Sequence, residues 1–74
     1  MKQPNVIDKI LAGNLKSLRQ KKQMTLENVA AKIGISYQQL QKYENAQNRI
    51  SASRLWQLSI IYRIPINQFF KVKP

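Results

Sequence analysis

Between Ser36 and Asn45 the chain concentrates side chains with hydrogen-bonding groups: Tyr37, Gln38, Gln39, Gln41, Lys42 and Asn45. On a helix turning about 100° per residue, Leu40, Tyr43 and Glu44 share one side, with Tyr37 at its edge. Gln38, Gln41, Lys42 and Asn45 fall opposite, and Gln39 lies on the flank. Amides and an ammonium on one face have the donors and acceptors that read base edges and phosphates in a DNA major groove. The plain alternative is a solvated face, the common fate of polar helix residues.

The elements that would position this face are legible around it. Leu26, Val29, Ala30 and Ile33 recur at the spacing of one buried helical stripe. Thr25 precedes the stripe as an N-cap, and Glu27 places a negative charge at the positive end of the helix dipole. Gly34 suits the left-handed residue that stops a helix. Ser36 then caps the next helix, and its S-x-x-Q spacing to Gln39 predicts a capping box. A helix, a short turn with glycine and a second helix form the helix-turn-helix pattern.

On either side the chain reads as helical too. A first helix is expected from Val6, with Ile7, Ile10, Leu11, Leu15 and Leu18 as its apolar stripe. It ends in Arg19, Gln20, Lys21 and Lys22, which set cations at the negative end of the dipole. Lys21 and Lys22 suit solvent and a phosphate backbone equally well. The stretch from Ala46 to Ile50 is a polar connection. Ser51 opens a fourth helix with Ala52, Leu55, Leu58, Ser59 and Tyr62 inward, stopped by Pro65. Ile66 to Phe70 can form a short fifth. The fold expected is all-α: a compact bundle of four to five short helices in one domain over 1–74. Residues 1–5 are expected as a loose arm and 71–74 as a short basic tail.

Composition excludes most chemistry. There is no Cys and no His, and the acidic residues are only Asp8, Glu27 and Glu44, scattered along the chain. Thiolate metal sites, paired carboxylates and imidazole bases are therefore lacking, and neither an enzyme, a cofactor nor a metal is expected. The formal net charge of +10 favours a polyanionic partner, either nucleic acid or an anionic membrane. No apolar run approaches the roughly 20 residues that span a bilayer, and no secretory signal is evident, so a cytoplasmic location is expected. A membrane-active amphipathic protein is disfavoured because the charges are spread over all helices. No RNA-module motif is present.

Leu15, Leu18 and Arg19, then Ala30, Ile33, Gly34, Ile35 and Ser36, then Leu40, Tyr43 and Glu44, then Leu55, Leu58 and Tyr62 resemble the Cro/cI-type (XRE-like) helix-turn-helix family. The resemblance runs from about Leu15 to Phe70. It implies a lambda-repressor-like DNA-binding domain of five helices with the third in the major groove. It implies a sequence-specific transcriptional regulator of double-stranded DNA, most simply a repressor, acting as a homodimer on a near-palindromic operator. Such dimers set recognition helices about 34 Å apart. The alternative within the same chemistry is the autorepressing antitoxin of a toxin–antitoxin pair, which would add a protein partner.

Residue by residue, the resemblance implies base reading by Tyr37, Gln38, Gln39 and Lys42; the amide of Gln41 suits adenine as that of Gln38 does. Phosphate contact is implied for Asn45, Asn48, Arg49, Ser51 and Ser53, joined by Arg54. An ion pair between Arg19 and Glu44 is implied, and burial agrees, since a lone carboxylate on the inward side of its helix needs a cation. Trp56, Ile60, Ile61 and Phe70 are the expected dimer patch. The chain departs from the family at Ala46, where glycine is usual, at Leu26, which often is a DNA-contacting Gln, and at the bulky Tyr37.

Overall fold

Short helices need defined ends, and here each α-helix begins on a side-chain cap and stops on a left-handed residue. The computed structural model describes residues 4–72. In order they form α1 (Val6–Lys21), α2 (Leu26–Ile33), α3 (Tyr37–Glu44), α4 (Ala52–Tyr62) and a 3₁₀ helix, Ile66–Phe70. No strand occurs among the described residues.

Thr25, Ser36 and Ser51 each accept the backbone N–H three residues on, from Asn28, Gln39 and Arg54. Each therefore satisfies one of the free amides at a helix start. The capping box expected at Ser36 forms only in half, because no bond returns from the Gln39 side chain. The reciprocal box is at α1: Asn5 Oδ1 accepts the Asp8 N–H at 2.8 Å, and Asp8 Oδ2 accepts the Asn5 N–H at 3.0 Å. Asn5 is thus the cap of α1 and not part of a loose arm. Residues 1–3 of that expected arm and 73–74 of the expected tail lie outside the described residues.

All four α-helices end alike. Gln23, Gly34, Ala46 and Arg63 each take positive φ, from 56° to 75°. In each case the left-handed residue bonds back three positions, and the next residue bonds back five: Ile35 N–H to Ala30 O at 3.0 Å, Gln47 N–H to Lys42 O at 2.9 Å. This is the Schellman arrangement, which satisfies carbonyls at a helix end. Only one of the four stops is glycine. At Gly34 a Cβ would meet nothing within 4 Å, so backbone angle and not space is what glycine relieves there.

The core lies where the four helices and the 3₁₀ turn meet: Leu15 of α1, Val29, Ala30 and Ile33 of α2, Leu40 of α3, Leu55, Leu58 and Tyr62 of α4, and Phe69. Tyr62 and Phe69 meet edge to face, with centroids 6.4 Å apart, a favoured aromatic geometry. Ile7, expected inward on α1, is exposed, as is Ala52 on α4, while Ala12 is buried instead. The first turns of α1 and α4 project past the small core, so their inward stripes start one turn later than periodicity alone suggests. Asn14 ties down the far end of the chain, its Nδ2 donating to the carbonyls of Phe69 (2.7 Å) and Lys71 (2.9 Å).

Candidate nucleic-acid interface

The position of α3 is set from beneath by one buried pair. Arg19 Nε donates to Glu44 Oε2 at 2.7 Å and Nη2 to Oε1 at 3.0 Å, while Nη1 donates to the Met24 carbonyl at 2.8 Å. Both side chains are nearly inaccessible, at 11% and 3%. This two-pronged contact fixes angle as well as distance, which a lysine in place of Arg19 could not do. The hydrogen bond to Glu44 raises the Arg19 pKa above the ordinary arginine value and outweighs the opposing effect of burial. Leu40, wholly buried one turn earlier, supplies the apolar half of the anchor.

The opposite side of α3 is open. Tyr37, Gln38, Gln41, Lys42 and Asn45 are exposed, Gln39 is half-buried, and none of their side chains has a hydrogen-bond partner among the described residues. Tyr37, 44% exposed, stands at the start of the helix. Leu26, at the start of α2, is half-buried and packs against the core. The helix thus presents a rigid row of unpaired amides, one phenol and one ammonium.

Residues expected at the phosphate backbone divide by what already holds them. Asn45 is exposed and Asn48 half-buried in the turn that follows α3. Ser51 caps α4, and its Oγ lies 3.2 Å from that of Ser53. Arg49 reaches back to the start of α1, where its Nε donates to Asp8 Oδ2 at 3.1 Å. Arg54 is engaged inside the module, since its Nη1 donates to the Ile33 carbonyl at 2.6 Å and to Gln57 Oε1 at 3.3 Å. A guanidinium at the C-terminal end of α2 is favoured by the helix dipole. It joins α4 to the turn before α3 through that one nitrogen.

The apolar residues expected between subunits are also separated. Trp56 and Ile60, one turn apart on α4, are 58% and 53% exposed, and Phe70 is 39% exposed. Ile61 is half-buried against the core, and Phe69 is part of that core. Among the described residues no group of His, Cys, Asp or Glu is placed to hold a metal ion. No described helix is long and apolar enough to cross a membrane.

Three residues of consequence are not marked by periodicity: Asn5, Asp8 and Ala46, the last signalled only by its departure from the family pattern. The N-x-x-D spacing of Asn5 and Asp8 is a capping signal that could have been found, had Pro4 not suggested disorder. Ala46, one residue past the α3 cap, holds φ 58° with a Cβ present, a conformation that costs roughly 1–2 kcal/mol for an L-residue.

A helix pair joined by a glycine turn, its second member anchored below and unpaired above, defines a helix-turn-helix module. The chain belongs to the helix-turn-helix family HTH_3, whose pattern matches residues 15–69. It is 38% identical over 73 residues to an uncharacterized HTH-type transcriptional regulator of Sinorhizobium medicae (strain WSM419), covering 99% of this chain and 52% of that protein. It is 52% identical over 44 residues to an uncharacterized transcriptional regulator in the ATPase CF(0) region of Rhodospirillum rubrum, covering 60% and 41%. The chain spans about half the length of these curated relatives.

Among solved structures it is similar to the clp gene regulator ClgR of C. glutamicum, with a TM-score of 0.81 at 20% identity, covering 88% and 84% of the two chains. The DNA-binding domain of BldD gives 0.79 at 20% identity, covering 96% and 100%. The restriction-modification controller protein C.AhdI of Aeromonas hydrophila gives 0.78 at 21%, covering 84% and 94%. At these identities the likeness is one of fold.

Proposed function

We propose that this module binds double-stranded DNA in a sequence-specific manner and regulates transcription, most simply as a repressor that occludes a promoter. One observation carries the reading: Gln38, Gln41 and Lys42 are exposed and unpaired on a helix locked from below by Arg19 and Glu44. Bidentate amides suit adenine, and an ammonium suits guanine or phosphate. The net charge of +10 supplies the sequence-independent attraction to which those contacts add choice. Tyr37 and Gln39 extend the reading face at the N-terminal end of α3, while Asn45, Asn48, Arg49, Ser51 and Ser53 border it as backbone contacts.

The module acts as a homodimer on a near-palindromic operator, its copies joined through the exposed Trp56 and Ile60 with Phe70 and the edge of Ile61. Two recognition helices about 34 Å apart then enter successive major grooves. Selection of bound duplexes from a random library, at fixed salt, tests both parts. A near-palindrome whose preference changes at defined positions in Gln38→Ala supports the reading. Enrichment of no sequence, with equal salt-sensitive binding by both proteins, overturns it.

A further inference from the structure

Arg49 lies two residues before the Ser51 cap, and its side chain meets the first turn of α1, 41 residues away in sequence. Its Nε donates to Asp8 Oδ2, and the same oxygen accepts the backbone N–H of Asn5. The Arg49 side chain remains 56% exposed. The contact uses Nε alone, so Nη1 and Nη2 have no partner among the described residues. A guanidinium held by one edge keeps a free fork of two nitrogens, the geometry that matches two oxygens of one phosphate.

The surroundings make this pair unusual in the chain. Of its three side-chain carboxylates, Glu44 is consumed by Arg19, Glu27 lies in the first turn of α2, and among the described residues only Asp8 meets an exposed cation. Exposed ion pairs contribute little to stability, because solvent screens them and two long side chains lose freedom. What such a pair does offer is order: an arginine already fixed loses less freedom when it meets a ligand.

We propose that Asp8 is a positioning residue for the DNA backbone, holding Arg49 by Nε so that its two terminal nitrogens are presented to one phosphate. This rests on the DNA-binding reading above. It makes a prediction opposite in sign to simple electrostatics. A carboxylate beside a phosphate site repels DNA, so its removal from a mere bystander tightens binding. Removal of a positioning residue weakens it.

The test uses the full chain and the duplex chosen by library selection, with affinity measured at fixed salt. Asp8→Ala and Asp8→Asn are expected to bind several-fold more weakly than the wild type. In an Arg49→Ala background the same Asp8 substitutions are expected to weaken binding no further. Asn5→Ala removes the other half of the α1 cap while leaving Asp8 and Arg49 in place, and is expected to keep wild-type affinity. Thermal unfolding of each variant identifies any that fails to fold; Asp8→Asn, which can still accept the Asn5 N–H but offers Arg49 a neutral oxygen in place of a charged one, then carries the comparison. Wild-type affinity or tighter binding in the folded Asp8 variants overturns the role of Asp8 alone. Absence of binding by the wild-type chain to any duplex overturns the DNA-binding reading with it.

Discussion

The two sides of α3 are built on opposite rules. Toward the core, Leu40 is fully buried and both oxygens of Glu44 are matched by nitrogens of Arg19. Toward solvent, Gln38, Gln41 and Lys42 have no partner among the described residues. An isolated eight-residue helix is unstable in water, so its shape is owed to the anchored side. The free side then inherits a fixed orientation without making a contact of its own. A merely solvated face needs no such fixing. A face whose partners come from outside does, because groups held in place lose less entropy when they bind.

The strongest way to break this contrast is at the anchor. Glu44→Ala leaves the Arg19 guanidinium buried and unmatched, and is expected to lower stability by about 3–5 kcal/mol in chemical denaturation. The double replacement Arg19→Met with Glu44→Leu should recover much of that loss, because it removes both charges from the interior. A double variant as unstable as Glu44→Ala would show that the pair does more than neutralise itself.

On the open side the expected signs differ. Gln38→Ala should leave the unfolding midpoint unchanged yet cost about 1–3 kcal/mol of discrimination at one base position in a binding-site profile. Lys42→Ala, if its ammonium meets phosphate, should weaken all sequences alike and reduce the salt slope by about one. A position-specific change would assign that ammonium to a base.

Smaller effects sharpen the buried side. The Tyr62 hydroxyl is buried without a hydrogen-bond partner among the described residues, so Tyr62→Phe is expected to raise stability by about 1 kcal/mol. Burial also pushes the Tyr62 pKa above its ordinary value of 10.0. Above that pH the unfolded chain releases the phenolic proton while the folded chain keeps it, so stability falls as pH rises. The phenylalanine variant should show a shallower alkaline decline in unfolding midpoint. Smallest is Ala46→Gly: relief of the left-handed angle, offset by added freedom in the unfolded chain, should yield about 0.5–1 kcal/mol of stability. An unchanged midpoint would mean that the turn tolerates its Cβ without strain.

What could be read from sequence was what neighbours decide. Thr25, Gly34, Ser36 and Ser51 act within a few residues of themselves, and the structure places each at the helix end its type suggests. The partnership of Arg19 and Glu44 spans 25 residues, but burial on an apolar face limits the choice of partner for a carboxylate. Nothing limits it for Arg49 and Asp8, 41 residues apart and both near the surface. Nor does any local pattern say that Arg54 turns inward to the Ile33 carbonyl. The inward stripe was legible at helix centres and failed at Ile7 and Ala52, where a small core leaves first turns uncovered. Long charged side chains on a surface choose among partners by three-dimensional proximity, which periodicity does not encode.

The shared left-handed stop at the helix ends also acts as a rotational gauge. Between Ile33 and Tyr37 the chain has only Gly34, Ile35 and Ser36, with the first two bonded back onto α2. Such a link has no slack to absorb a change of length. One residue inserted at the start of α3 and wound into the helix would shift every later side chain by about 100° about its axis. Glutamines would swing toward the core, and Leu40 away from it. The length of this turn therefore determines which side chains can meet a ligand as firmly as their identity does.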